Sequence, residues 1–547
     1  RLILCQRAAD YRQRRGAHTW QYHLSLAIFN SFIFQKPGDS YMKKIRIQAE
    51  WLQHMVDDIC VQHSSTGITP QMYRAGYELT SPQSTIASKG QIPGPQWIEK
   101  STVMAWIKVS DDRWERPVDG LEGYYSVMAS VTAGAYEGRE NHTIFSTLKL
   151  EWDSPNITSS LEHAWKQMRF EQPQLATTIE SSKKVYRVPD ETALQEWLDS
   201  TFIVSPASSA EELYQSVSPF KQATLYYLPR SSELVVRAHH YTIDGTGIIL
   251  FWHSYLSALA APKIDFRFGD EHTRLAPVME DIFGFSASPT QTQMGTANAL
   301  FMSYVESVPG ICPVTQASAA GSGTCQTAEL VFSTATTKAL IKACKEKDIS
   351  VTAAVHAAYI KAIEKHADPQ SKVTQYATAA QFNLRPYLPK PYNSCRYGVA
   401  VYFSPLPYAI NLPASYGDLV QSLQQYYKTS FKDNPGMLEL KAHFTNLMFG
   451  AVQSPEFFTR PAPRDAMLSS LGILERYMQP EYDSGIKVVD LKIGIDVVVG
   501  TSAFLFYTFR EQLRFNYCFN DGFENLQNIK TYLEETRSIL LNELRIL

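Results

Sequence analysis

The spacing of apolar positions divides the chain into short strand-like runs and amphipathic helical stretches. Leu161, Ala164, Trp165 and Met168 recur at helical spacing within Ser159–Phe170, which predicts a helix with one apolar face. Leu194–Phe202 predicts a second, shorter one. Ala223–Leu228 and Leu234–His240 read as two strands joined by the turn Pro229-Arg230-Ser231-Ser232. The second strand is almost continuously apolar, as a strand covered on both faces is. A helix over Thr246–Ala261 follows. Turn chemistry at Arg116-Pro117-Val118-Asp119-Gly120 precedes two further expected strands, Tyr124–Val131 and Thr143–Trp152. Residues 263–325 show no long periodic element, and Ala317–Thr324 is nearly all Ala, Gly and Ser, which marks a crossover between two halves. Beyond it, Ala328–Phe332 reads as a strand. Ser333 caps a helix through Lys347, and Ser350 or Thr352 caps another to about His366. Strands are expected at Tyr397–Phe403, Ile486–Ile495, Ala503–Phe509 and Leu513–Cys518, with an amphipathic helix, Phe523–Leu547, at the end. Nearer the start, Tyr41–Cys60 reads as a helix and Thr80–Pro95 as a polar loop.

Strands and helices mix without regular βαβ alternation, so the fold class is α+β. A length of 547 residues exceeds what one hydrophobic core supports, so two or three packed units are expected. The division read here is an N-terminal extension, 1–112, packing on the first lobe, then lobes over 113–310 and 311–547. A formal net charge of −3 leaves no basic footprint for nucleic acid and no polybasic signal for a membrane surface. The apolar run Leu24–Phe34 is too short to span a bilayer. Seven scattered cysteines without a CxxC pair fit a reduced compartment, neither a disulfide framework nor a zinc site. Asn141-His142-Thr143 and Asn156-Ile157-Thr158 fit the glycosylation rule, but such triplets arise often by chance. The chain begins at Arg1, so a leader can precede it, and the expected location is cytoplasmic. The chemical searches exclude much: there is no GxGxxG after a strand, no GxxxxGKS/T, no HExxH and no GxSxG.

The informative stretch is Leu234-Val235-Val236-Arg237-Ala238-His239-His240-Tyr241-Thr242-Ile243-Asp244-Gly245. A buried strand ends in two histidines, and an Asp-Gly pair stands just before a helix. A lone histidine at a strand end is more often structural than catalytic, but the tandem pair at this spacing reverses that balance. Attack of an alcohol or amine on a thioester needs a base that is unprotonated near neutrality, which histidine supplies. One histidine is therefore read as the base and the other as a packing or hydrogen-bonding residue. Asp244 can turn back under the loop and fix it through an ion pair, and Gly245 is read as the residue that lets the backbone leave the strand.

HHxxxDG resembles the signature of the superfamily of chloramphenicol acetyltransferase, plant BAHD acyltransferases, carnitine acyltransferases and peptide-synthetase condensation domains. That resemblance covers about residues 113–547. It implies a two-lobed pseudo-dimer, with mixed sheets covered by helices and a channel between the lobes. It further implies His240 as catalytic base, His239 as a supporting residue and Asp244 as a structural residue paired with an arginine of the second half. Gln381-Phe382-Asn383-Leu384-Arg385 is similar to the family's NxR segment, which makes Arg385 that partner. Ser469-Ser470-Leu471-Gly472 is similar to a strand lining the channel, with Ser470 and Ser469 as candidate donors to an oxyanion. The DFGWG of plant members is missing, and Asp496-Val497-Val498-Val499-Gly500 is its nearest approach. The chain therefore resembles the fungal secondary-metabolite branch, such as the trichothecene 15-O-acetyltransferase type, or free-standing condensation-like enzymes. The implied reaction moves an acyl group, most simply acetyl, from acyl-CoA as co-substrate to a hydroxyl of a small secondary-metabolite acceptor. It needs no resident cofactor or metal, and a monomer suffices. The alternatives are a condensation-like enzyme that takes its thioester from an acyl carrier protein, and a non-acylating cyclase or scaffolding relative.

Overall fold

The computed structural model describes residues 104–546 apart from 134–137, 287, 315–321, 433, 435 and 460–464. The helix expected over Tyr41–Cys60 and the loop over Thr80–Pro95 lie outside them, as do most of residues 1–112. Two strands, β1 (Ile107–Lys108) and β2 (Arg113–Pro117), lead into helix α1 (Gly120–Thr132). Then come β3 (Ile144–Glu151), α2 (Ile157–Glu171), β4 (Thr178–Glu180), β5 (Lys183–Arg187), α3 (Glu191–Thr201) and β6 (Phe202–Val204). Next are α4 (Ala210–Gln215), β7 (Thr224–Leu228), β8 (Glu233–Ala238), α5 (Gly245–Ala260), α6 (Met279–Phe283) and α7 (Gln291–Ser307). The second half runs β9 (Cys325–Val331), α8 (Thr334–Glu346), α9 (Val351–His366), β10 (Gln375–Asn383) and β11 (Phe403–Asn411). It continues with α10 (Tyr416–Thr429), α11 (Gly436–Val452) and β12 (Ala466–Ile473). β13 (Glu481–Tyr482), β14 (Ile486–Ile495), β15 (Ser502–Phe509), β16 (Gln512–Asn520) and α12 (Leu526–Glu543) complete it.

Three expectations are corrected. Tyr124–Val131 is helical, not a strand: Asp119 accepts from the Leu121 and Glu122 amides, and the Glu122 carboxylate reaches back to the Asp119 amide. This reciprocal capping, with Leu121, Tyr125, Met128, Ala129 and Thr132 buried on one face, outweighs the β preference of Tyr and Val. Residues 263–325 do contain a long element, α7, started by a Thr290–Gln293 capping box. Only Ala297 of that helix is buried, so it carries no apolar stripe to read. Tyr397–Phe403 is not a strand, and β11 begins only at Phe403. Its apolar residues Val399, Ala400, Val401 and Tyr402 are buried as expected. Their backbone groups, however, bond to side chains and to the loop after β8 instead of to a ladder.

The sheets are mixed and mainly antiparallel. A six-stranded sheet has the order β13-β14-β3-β8-β7-β6, a four-stranded sheet β12-β15-β16-β9, and smaller ones β1-β2-β5-β4 and β10-β11. Among the described residues, only β6–β7 and β12–β15 run parallel. This is an α+β architecture of mixed sheets covered by helices. Its decisive feature is an exchange between halves: β14 leaves the second half and pairs antiparallel with β3, Ile495 opposite Ile144. Leu491 and Ile493 of that strand thus share a core with Leu148, Trp165, Val236 and Trp252 of the first half. A second core gathers Leu340, Val355, Ile360, Phe504, Phe515 and Leu533. Helices also cross between halves, for a Cβ on Gly120 of α1 would stand 2.5 Å from the Asn446 amide of α11. The end of β8 therefore lies where residues of both halves converge.

Candidate active site

The hairpin partner β7 fixes β8 in register, Leu228 opposite Glu233, so the chain after Ala238 is delivered from a rigid element. His239 and His240 follow, and Asp244 caps α5 by accepting from the Gly247 amide at 2.7 Å. The Asp244 carboxylate also takes Arg385 Nη1 at 2.8 Å on each oxygen and the Tyr402 amide at 2.7 Å. Arg385 spends its other terminal nitrogen on the Gly398 and Ala400 carbonyls. Both charges are buried, at 2% and 3% exposure, so each depends on the other for solvation. This pair sews the histidine loop of the first half to residues 398–402 of the second. It brings together Asp244 and Arg385 as the family resemblance implied.

Gly245 needs a different account from the one read in sequence. It opens α5 and has no left-handed φ. What its missing side chain provides is space, since a Cβ there would come 2.9 Å from Leu471 Cδ2. Gly247 is more constrained: a Cβ would meet the Gly398 carbonyl at 2.4 Å and Arg385 Nη2 at 3.1 Å.

The strand ends at Ala238, and a turn closed by the Thr242 amide on the His239 carbonyl at 2.8 Å separates the two histidines. His239 is 4% exposed and sandwiched between Phe220 and Tyr241, centroids at 4.3 and 4.6 Å. Its Nε2 lies 2.8 Å from Glu140 Oε2. It is anchored and does not line the cavity that His240 faces. His240 instead lines a narrow cavity of about 70 Å³ between the halves, with Nδ1 buried. Its ring stacks on Tyr125 at 4.2 Å and 6°, with Phe403 at 5.3 Å. Burial lowers its pKa from 6.5 to about 4, against smaller upward pulls from its own main-chain carbonyl and from Asp244. Ser469 and Ser470 of β12 line the same cavity. The β12–β15 register shifts after Ser470, and the Ser470 hydroxyl is engaged by Thr352 Oγ1 at 2.9 Å. Ser469 is the better placed of the two to serve a ligand.

Sequence reasoning missed several residues. Tyr125 sat in the segment read as a strand, yet α1 aims it at His240. Lys184, 2% exposed, donates to Glu122 Oε1 at 2.6 Å and to the Tyr241 carbonyl at 2.7 Å, tying α1 to the residue after His240. His142 also lines the cavity, edge-on to Tyr125 at 5.3 Å. The triplet Asn141-His142-Thr143 is no surface acceptor: Asn141 is 2% exposed and its Oδ1 takes the Val498 amide at 2.8 Å. Asp496, the nearest approach to DFGWG, forms a fully buried ion pair with Arg139 at 2.8 Å. A larger surface hollow of about 400 Å³, lined by Trp106, Pro277, Asp281 and Tyr392 among others, holds none of the motif residues. Among the described residues, no cluster of three or more His, Cys, Asp or Glu is placed to hold a metal ion, and no helix is long and apolar enough to cross a membrane.

No family model matches the chain. Its fold is shared by an acetyltransferase and by a condensation domain of known structure. The chain is similar to the acetyltransferase pigO of Monascus ruber, 27% identical over 461 residues that span 81% of this chain and 99% of the relative. The O-acetyltransferase pigM of Monascus ruber is likewise 27% identical, over 81% of this chain and 88% of its own length. Among solved structures, the TRI3 trichothecene 15-O-acetyltransferase from Fusarium sporotrichioides superposes with a TM-score of 0.69 at 14% identity, over 80% of this chain and 97% of that one. The first condensation domain of the CDA synthetase gives a TM-score of 0.54 at 14% identity, over 79% and 96%.

Proposed function

We propose that the protein transfers an acyl group, most simply acetyl, from CoA to a hydroxyl of a small secondary-metabolite acceptor, with His240 as general base. The observation that carries this reading is the placement of the motif: of the two adjacent imidazoles, one is locked away by Glu140 and the other is presented to a cavity between the halves. His240 Nε2 takes the hydroxyl proton as the acceptor oxygen attacks the thioester carbonyl. The C=O electron pair moves to oxygen, and the carbonyl oxygen gains negative charge beside the Ser469 hydroxyl. Collapse restores the C=O bond, breaks C–S and releases the thiolate, which takes the proton back from His240. Asp244 and Arg385 hold the loop and do not touch the reacting atoms. Likeness to acetyltransferases in both sequence and fold favours a CoA thioester and an oxygen nucleophile over a carrier-protein thioester and an amine. Thiol release from acetyl-CoA in the presence of a panel of alcohols, set beside an acetylated carrier protein with amines, tests that preference. Turnover only with the carrier protein would contradict it.

Two expected results follow from the geometry. With its pKa near 4, His240 is almost wholly neutral at pH 7 and stays so down to about pH 5. The kcat/KM profile should therefore be level through pH 6.5 and fall only as pH approaches 4, because the proton that disables the base binds only there. A break near 6.5 in wild type that disappears in His240→Gln would mean that the ring titrates as if exposed. In the second test, Ser469→Ala should lower kcat by up to about 10²-fold, the scale of one oxyanion donor, and Ser470→Ala much less. Equal losses in steady-state kcat would remove Ser469 from this role.

A further inference from the structure

Three histidines show what a working imidazole looks like in this fold. His356 is fully buried, and its two ring nitrogens stand 3.0 Å from the hydroxyls of Tyr427 and Tyr376. Both nitrogens are engaged within a core, and nothing remains for a ligand. His239 is anchored by Glu140. His142 is different. It is 3% exposed and faces the cavity of His240, yet it has no short hydrogen bond: the Asn141 amide nitrogen lies 3.4 Å from each ring nitrogen, at the long end of bonding range.

The backbone that presents it is costly. His142 has φ +68°, a left-handed conformation that costs on the order of 1 kcal/mol or more for a residue with a Cβ. Its surroundings leave no alternative. The His142 amide donates to the Asp496 carbonyl at 2.7 Å, and Asp496 is held in turn by Arg139. The Asn141 amide donates to Thr132 Oγ1 at 2.8 Å, and its side chain receives Val498. The same loop supplies Glu140 to His239. A strained backbone, pinned on both sides and ending in a loosely bonded ring at a cavity, is an arrangement that packing alone does not call for.

We propose that His142 is a second catalytic imidazole, whose N–H donates to the thioester oxygen as that oxygen gains negative charge. The inference rests on the acyl-transfer reading above. His142 from the first half and Ser469 from the second line the same cavity as His240, so both face the space in which the thioester carbonyl would meet the acceptor. The ring keeps its proton throughout: the acceptor's proton passes to His240 and returns to the leaving thiolate, and His142 only shares a hydrogen bond. Burial and the nearness of His240 lower the His142 pKa to about 3. It therefore stays neutral and does not repel His240 when the latter becomes charged.

The test uses His142→Gly and His142→Asn, both of which tolerate a left-handed φ, with Asn keeping a shorter N–H donor. Acetyl-CoA is the donor, and both transfer to the best alcohol of a panel and hydrolysis to water are followed. The expected result for folded His142→Gly is a loss of about 10²-fold in kcat for both reactions, with the acetyl-CoA KM within about threefold. His142→Asn should recover part of it. A His142→Gly enzyme within threefold of wild type overturns the proposal, as does a loss confined to transfer. Should that variant not fold, the carbonyl stretch of bound acetonyl-CoA decides: lower in wild type than in His142→Asn supports the role, and equal values overturn it. His240→Ala in the same assay separates the two readings. An inactive His240→Ala beside a normal His142→Gly defeats only this inference, whereas a fully active His240→Ala defeats the base itself.

Discussion

Replacing His240 by alanine is expected to lower kcat by about 10²–10⁴-fold, the usual span for a general acid–base group, with little effect on folding. The separation of activity from stability follows from how the ring is held. Its packing is a stack on Tyr125 and a tilted contact with Phe403, at the rim of a cavity and not inside a close-packed core. Losing such a stack costs about 0.5–1.5 kcal/mol beyond area burial, a loss a folded domain tolerates. The loop itself stays fixed by Asp244, Arg385 and the Lys184 bond to the Tyr241 carbonyl. Steady-state rates with acetyl-CoA, beside a thermal melt, check both halves of the expectation. Truncating His239 should do the reverse, chiefly lowering stability, because its ring is enclosed by Phe220, Tyr241 and Glu140.

The second large effect is expected at Asp244. Its two oxygens serve Arg385, the Gly247 amide and the Tyr402 amide, all donors. Asparagine has one oxygen and an NH₂ group, which must confront at least one of those donors and leaves Arg385 buried without a counter-charge. Removing one member of a buried pair typically costs about 3–5 kcal/mol. Asp244→Asn should show a loss of that order in denaturant unfolding, together with reduced kcat, since the segment 398–402 and the base share this anchor. A double-mutant cycle with Arg385→Met should reveal coupling of about 2 kcal/mol or more. Effects that add to within about 0.5 kcal/mol would mean that the two residues act independently. The double variant should not regain full stability, because one of the Gly247 and Tyr402 amides would still face the asparagine NH₂ where it now has an acceptor.

How much of this was readable along the chain depended on range. HHxxxDG is local: strand, histidines, cap and helix follow within one stretch, and β7 and α5 fall within a residue of expectation, while β8 stops at Ala238, two residues short of the expected His240. Ser333 and Ser350 cap α8 and α9 as read, because a cap is a property of four adjacent residues. Arg385 is 141 positions from Asp244, and only the resemblance pointed to it. Tyr125 could not be linked to His240 once its segment was taken for a strand, an error of propensity over capping. His142 lay inside a triplet that carries a simpler reading, and its left-handed backbone depends on Asp496 and Val498, more than 350 positions away. The apolar run 399–402 looked like a strand because burial was legible while the partners of its backbone groups were not. For His142 and for 399–402 the deciding interactions join the two halves, and no window on the sequence contains both sides, whereas the helix over Tyr124–Val131 is signalled locally by the Asp119–Glu122 capping box.

The account's central claim is that one imidazole nitrogen takes the acceptor's proton between the two halves. A crystal structure with CoA and an acylated product bound measures it directly. His240 Nε2 is expected about 2.6–3.2 Å from the ester oxygen that came from the acceptor, with the CoA sulfur entering the same cavity. An ester oxygen bonded instead to another residue, with His240 out of reach and no water between, would contradict it.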